Sequence, residues 1–232
     1  AVNTLGKKTV KSMITIEAVA IIIITSYLFT NGYIITSILA LSGMIFGYIY
    51  SAEPIRVKKR GFLSPFPVLI GLYTLPVLGG WFIFHSNLSM FIIVFSIGYA
   101  LINEGITLVN TCEDYDEDKS EGITTWAHLF SLRKTMKIAY IFTIVGGVIA
   151  VIGVFFKPIF LGWSFYNMYS SIIFVGMGVI NTAIILFIGN NIIASSEGDD
   201  LKSSCKKAAK NMPKWFITTR YPLLLMSLLI LL

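Results

Sequence analysis

The sequence predicts an all-α polytopic membrane protein, and three observations carry that reading. First, 56% of the 232 residues are hydrophobic and only 13% are charged, with a mean hydropathy of +0.79. Soluble domains carry about 25% charged residues, so this chain lacks the material for a water-facing surface. Second, the apolar residues gather into seven runs near the ~20 residues needed to cross a hydrocarbon core. Third, the connections between the runs alternate between charged and uncharged.

The seven expected spans lie at roughly 12–30, 33–50, 66–85, 89–110, 136–156, 170–193 and 215–232. The first follows Lys7, Lys8 and Lys11. It is long enough to span and no small-residue cleavage site follows it, so it reads as a span and not as a signal peptide. Asn31-Gly32 is a tight-turn signal joining the first span to the second. The second connection carries Arg56, Lys58, Lys59 and Arg60, whereas loop 86–88 is uncharged. The fourth holds an acidic stretch with Lys119, Arg133 and Lys134, and 157–169 has only Lys157. The sixth carries Lys202, Lys206, Lys207, Lys210 and Lys214. All the well-charged connections fall on one side, which the positive-inside rule makes cytoplasmic. Trp81, Trp163 and Trp215 lie near span ends, as interfacial aromatics do.

The net charge of +6 is spread between apolar segments, so it points to a membrane surface and not to nucleic acid. Cys112 and Cys205 provide neither a disulfide framework nor a zinc pattern. Gly79-Gly80, Gly146-Gly147 and Gly176-x-Gly178 suit close helix packing or a kink. The segment Asp199 to Lys210 predicts a short amphipathic helix capped by Asp199 or Asp200, with Lys206, Lys207 and Lys210 toward lipid headgroups.

Six of the chain's twelve acidic residues crowd into positions 113–121: Glu113, Asp114, Asp116, Glu117, Asp118 and Glu121. If the fourth span continues as a helix, Asn110, Asp114 and Asp118 stack at i, i+4 and i+8 on one face. Like charges at that spacing repel, so a cation or cationic partner is expected there. Hard oxygen ligands suit Mg2+, which takes one or two carboxylates and fills its shell with water and phosphate oxygens. The bland alternative is a solvated acidic loop. Asp116 and Glu117 lie off the face and read as solvated or paired with Lys. The basic 56–60 connection shares the predicted side, and a metal, a phosphate and Arg or Lys form a natural triad.

These residues carry a resemblance. Asn110-x-x-x-Asp114-x-x-x-Asp118-Lys119-x-x-Gly122-x-x-Thr125 resembles the second aspartate-rich motif of the UbiA-type intramembrane prenyltransferases. Tyr50-Ser51-x-x-Pro54-x-Arg56-x-Lys58-x-Arg60-Gly61 resembles the signature that precedes it in that family, two spans earlier. The resemblance covers the whole chain as a single prenyltransferase domain. It implies a nine-helix bundle around a cavity open to the membrane. It also implies Mg2+-assisted loss of diphosphate from a prenyl diphosphate, geranyl to polyprenyl, and alkylation of an aromatic or glycerol-phosphate lipid acceptor. On it, Asp114 and Asp118 hold the metal with support from Asn110, and Arg56 and Lys58 bind diphosphate. Tyr50 either donates to a phosphate or anchors at the interface, and Lys119 either contacts diphosphate or balances Asp118. Lys59 and Arg60 read as topology residues. The family's first motif, Asn-Asp-x-x-Asp-x-x-x-Asp, has no counterpart here. Two further N-terminal spans carrying it are expected to precede Ala1, and the chain alone is not expected to be active.

Asn103 and Thr107 continue the face of Asn110 into the membrane, with Glu104 beside them. Glu104 is expected either to polarise an acceptor or to form a structural pair, with Arg220 and Glu17 as candidate partners; pairing is the expectation. His85 and His128 lack metal-ligand spacing and read as structural. The rival class is a membrane cation transporter with an acidic metal entry site, which the mostly apolar mid-membrane positions disfavour; a non-catalytic scaffold is a third reading. The Ile- and Lys-rich composition suits an archaeal or low-GC bacterial source, so quinone or ether-lipid synthesis is the expected setting.

Overall fold

The computed structural model describes residues 6–155, 157–165, 168, 169, 171, 172, 176 and 200–210, and every regular element among them is helical. The first span is α1 (Lys7–Thr30), and Asn31-Gly32 turns it back into α2 (Ile34–Ser51). Two short 3-10 turns, Val57–Lys59 and Gly61–Leu63, lead into the third span, α3 (Gly61–Phe84). Then come α4 (Met90–Glu113), the short α5 (Tyr115–Ser120) and α6 (Trp126–Phe130), α7 (Leu132–Phe155) and α8 (Lys157–Leu161). Residues 200–210 form α9, the last helix among the described residues.

Five helices among the described residues are long and apolar enough to cross a membrane, and they match the first five expected spans. The expected spans at 170–193 and 215–232 lie outside the described residues or run beyond them, as do Asp199, Gly178 and Arg220. Several helices are longer than their apolar runs. α1 begins at Lys7 and α7 at Leu132, because Lys and Arg are good helix formers that carry the backbone past the membrane edge.

The third span departs from the single helix expected. It begins with a 3-10 turn, passes through Pro65–Pro67, becomes a π-helix over Val68–Thr74 and returns to α-helix over Leu75–Phe84. Proline removes a donor from the helical ladder, and Pro76 does so just past the π segment. The Thr74 hydroxyl donates to the Leu69 carbonyl at 2.9 Å and takes up part of the freed backbone. The widened turn places Tyr73 in the interior, where its hydroxyl lies 2.6 Å from Thr107 Oγ1 on α4.

α4 is the central helix. Its spanning window is 67% buried, against 6% for α1, whose isoleucines point outward as a hydrocarbon setting requires. Lipid tails are as apolar as side chains, so close packing must hold membrane helices together. α4 and α7 achieve it through glycine. A Cβ on Gly146 would lie 2.7 Å from the Gly98 carbonyl oxygen, and one on Gly98 would lie 2.7 Å from that of Gly146. Gly71 serves α2 and α3 similarly, since a Cβ there would lie 2.5 Å from Phe46 Cβ, and the Gly79 carbonyl accepts from the buried Thr36 hydroxyl at 3.0 Å.

At the charged end, two connections are clasped together. The Gly61 N–H donates to the Thr124 carbonyl at 2.9 Å, and the Trp126 indole N–H donates to the Phe62 carbonyl at 2.9 Å. The Phe62 and Trp126 rings stack at 5.6 Å. Gly61 takes φ 54°, and a Cβ there would press on Leu129 Cδ1 at 3.0 Å. α9 covers the same end as an amphipathic helix. Leu201, Cys205, Ala208 and Ala209 are buried, while Lys206, Lys207 and Lys210 are exposed.

Candidate functional site

The acidic motif keeps its helical register across a break. α4 ends at Glu113, and Asp114 caps it at φ −81° and ψ 8°. The i to i−4 bonds nevertheless continue: Asp114 N–H to Asn110 carbonyl at 3.0 Å, then Asp118 N–H to Asp114 carbonyl at 2.8 Å. Asn110, Asp114 and Asp118 therefore line one wall, and Asn110 Nδ2 donates to Asp114 Oδ2 at 3.4 Å. Gly122, at φ 67°, stops α5 in a Schellman turn, with Gly122 N–H to Lys119 carbonyl at 3.2 Å and Ile123 N–H to Asp118 carbonyl at 2.9 Å.

Thr125 then caps α6 in a capping box with His128. The Thr125 N–H donates to His128 Nδ1 at 3.2 Å, which leaves the proton on Nε2 to donate to the Tyr115 carbonyl at 2.9 Å. The His128 ring stacks on Tyr115 at 4.4 Å. His128 is thus a structural histidine that ties α6 to the acidic motif, as expected.

A cavity of about 90 Å³ opens between these walls. It has room for several waters or a hydrated ion, since a water needs only about 10–15 Å³ by that measure. Tyr50 and Lys58 line it from one side, and Asn110, Asp114 and Asp118 from the other. Lys58 Nζ lies 3.4 Å from Asp118 Oδ1, and the Asp118 side chain is only 9% exposed. This ion pair joins the two sequence motifs, and the Gly61–Thr124 clasp beside it explains why they meet. The Asp114 carboxyl is held above the usual carboxylate range by burial first, then by the charges of Asp118, Glu113 and Glu117, with Lys58 opposing.

Two of the residues expected at the site stand away from this cavity. Arg56 adopts φ 30°, a left-handed conformation uncommon for a non-glycine residue, and its guanidinium lies 3.3 Å from Glu53 Oε1. Lys59 reaches the same carboxylate at 3.4 Å, and the hydrogen bond from Arg56 holds the Glu53 carboxyl below its usual range. Lys119 is exposed and does not line the cavity. Asp116 pairs with Lys202 of α9 at 2.9 Å.

Other wall residues carry weaker sequence signals. Glu104, Thr107 and Thr111 lie deeper on α4, and Ser64 and Trp126 come from the clasped connections. The helical spacing from Asp118 back through Asp114, Thr111 and Thr107 marks one of these faces; the contribution of Trp126 depends on the tertiary clasp. Glu17 lies exposed on α1, away from Glu104. Asn103 turns aside and donates to the Tyr99 carbonyl at 2.8 Å.

The donor set fits a hard cation in one particular way. Among the described residues no three His, Cys, Asp or Glu side chains converge into a complete cage. Two carboxylates and an amide oxygen form a partial set, the kind Mg2+ uses when a phosphate supplies the remaining ligands.

Comparison with known proteins gives the following. A family model described as the UbiA prenyltransferase family matches residues 4–199. The chloroplastic chlorophyll synthase of Arabidopsis thaliana is 31% identical over 85 residues, 37% of this chain and 22% of that protein. The chloroplastic chlorophyll synthase of Avena sativa is 30% identical over 94 residues, 40% of this chain and 25% of that protein. The matched stretch thus spans about a quarter of the length of these relatives. No solved structure matches the chain.

Proposed function

The chain belongs to the UbiA prenyltransferase family, and from that premise we propose that it transfers a prenyl group from a prenyl diphosphate to an aromatic or lipid acceptor inside the membrane. The observation that carries the reading is the ion pair of Lys58 with Asp118, at 3.4 Å, in a cavity whose other wall bears Asp114 and Asn110. An ammonium suited to phosphate beside oxygens suited to a hard cation, at the edge of an apolar bundle, supports that reading.

In this reading Asp114, Asp118 and Asn110 hold Mg2+. Bound there, Mg2+ supplies positive charge for the leaving diphosphate. Lys58 covers phosphate oxygen charge from the opposite wall, and the Tyr50 hydroxyl donates to the same group. Arg56 and Lys119, outside the cavity, add to the positive potential of this end of the bundle. The C1–O bond of the prenyl diphosphate breaks and its electron pair leaves with the diphosphate. The acceptor's nucleophilic atom bonds to C1 and gives up a proton. Val68, Leu108 and Trp126 wall the cavity and keep water from the allylic carbon. The charged end faces the cytoplasm, where Lys and Arg accumulate.

The direct test is an assay of the full-length protein in nanodiscs with labelled geranylgeranyl diphosphate. Mg2+-dependent release of diphosphate, with the label passing to a hydroxylic acceptor, is the expected result. No diphosphate release at any prenyl length from geranyl to polyprenyl would sink the proposal.

The raised Asp114 carboxyl adds a pH signature. A carboxyl whose folded value lies above its unfolded value stabilises the fold at pH below the ordinary aspartate value of about 3.9. That contribution is lost as pH rises through the folded value, because the charged form is the disfavoured one in the fold. In EDTA, Asp114→Asn therefore raises Tm at neutral pH, and the difference from wild type vanishes on acidification. Saturating Mg2+ reverses the order by stabilising wild type alone. A Tm difference that does not change with pH would refute this account of Asp114.

A further inference from the structure

Glu104 sits within the α4 span, 1% exposed, and neither of its carboxylate oxygens has a hydrogen-bond partner among the described residues. It lines the same cavity as Asp114 and Asp118. It lies ten positions before Asp114, about 15 Å deeper along an ideal helix. Leaving a carboxyl group desolvated and unbonded is costly, and ionisable groups within spans mark function by default. The neighbouring groups do not relieve it. The Thr107 hydroxyl donates to the Asn103 carbonyl at 3.1 Å and meets the Tyr73 hydroxyl at 2.6 Å. Lys58 is the one cation in the described wall, and it lies against Asp118.

Among the described residues Glu104 has no partner, and a ligand in the cavity can supply one. On the prenyl-transfer reading, on which this inference rests, the walls part beyond the present cavity of about 90 Å³ to admit two substrates. The diphosphate calls for cations, which Glu104 is not, and the prenyl tail has no hydrogen-bonding group. The acceptor alone brings a donor. We infer that Glu104 holds a hydroxyl hydrogen of the prenyl acceptor, fixing the acceptor below the diphosphate end of the cavity as its positioning residue. The acceptor class this selects is a hydroxyl-bearing molecule that enters with its donor group toward α4.

The test uses the full-length protein in nanodiscs, as wild type, Glu104→Leu and Glu104→Gln. Binding of geranylgeranyl thiodiphosphate with Mg2+ reports on the fold and the diphosphate site. Alkylation of 1,4-dihydroxynaphthalene and of a monoacylglycerol by geranylgeranyl diphosphate reports on the acceptor site. Wild type is expected to alkylate at least one of the two. Glu104→Leu keeps its thiodiphosphate affinity while the acceptor KM rises about tenfold, the loss expected of one buried hydrogen bond. It also diverts prenyl diphosphate to hydrolysis, in which water oxygen bonds to C1, its proton passes to solvent, and prenyl alcohol and diphosphate are released. Glu104→Gln, which still accepts a hydrogen bond, recovers most of the KM.

An unchanged acceptor KM in Glu104→Leu overturns the inference. So does a parallel fall in thiodiphosphate and Mg2+ affinity, which would make Glu104 a metal or structural residue. Wild type that binds thiodiphosphate but alkylates neither probe overturns the hydroxylic acceptor. Wild type that binds no thiodiphosphate overturns the prenyl-transfer reading itself, and this inference with it.

Discussion

Asp114→Asn combined with Asp118→Asn abolishes Mg2+-dependent binding of geranylgeranyl thiodiphosphate, with a loss of affinity of at least about a hundredfold. Changing a residue that merely supports a metal ligand typically costs 10–100-fold, so losing both carboxylates exceeds that. Asparagine keeps the shape of the wall and an oxygen, so the loss reports charge and not packing. Asp118→Asn alone has the larger effect of the two. Its carboxylate is buried and paired with Lys58 at 3.4 Å, whereas Asp114 is half-buried and already disfavours its charged form. Isothermal titration in detergent with and without Mg2+ measures both. Binding that ignores Mg2+ and both substitutions would return the cation-transporter and scaffold readings to the front.

Gly146→Val prevents the bundle from assembling. A β-carbon at Gly146 would stand 2.7 Å from both the Gly98 carbonyl oxygen and the Ile102 nitrogen. Both are backbone atoms of α4, so no rotamer change relieves the clash and the helices must separate. Overpacking costs about 1–3 kcal/mol where side chains can adjust, and more is expected where they cannot. Separation also displaces the wall that carries Glu104, Asp114 and Asp118. Size-exclusion profiles and Tm of the purified protein are expected to show little or no folded material. Gly80→Ala is the control, since a Cβ there meets nothing within 4 Å. Equal folded yield for the two variants would refute the packing account.

Much of this architecture was legible in the sequence, for reasons that differ from residue to residue. The five described spans follow from apolar run length, which a bilayer enforces strictly. The alignment of Asn110, Asp114 and Asp118 follows from helical periodicity, and it survives the break at Asp114 because the i−4 hydrogen bonds do. Lys58 was legible only through its motif, since basic residues flank span ends for topology as well. Arg56 shares that ambiguity: its guanidinium lies 3.3 Å from Glu53, three residues away and off the cavity, and nothing in the spacing of a loop predicts a left-handed turn at an arginine. The π segment placing Tyr73 against Thr107 was hidden for a related reason, because hydropathy does not register helix type. Glu104 was visible as a charged residue in a span, but its lack of a partner among the described residues is a property of the packed wall.

The ion pair between Lys58 and Asp118 also has a thermodynamic consequence. Lys58 and Asp118 satisfy one another in the absence of any ligand, at 3.4 Å. On the prenyl-transfer reading, Asp118 would give up the ammonium to hold a metal, and Lys58 would give up the carboxylate to hold a diphosphate. Arriving together, they share a single displacement. Each therefore raises the affinity of the other by the same factor, as linkage requires. The clasp of Gly61 to Thr124 and of Trp126 to Phe62 holds the two connections at one separation, so this coupling is set by the fold before either ligand enters.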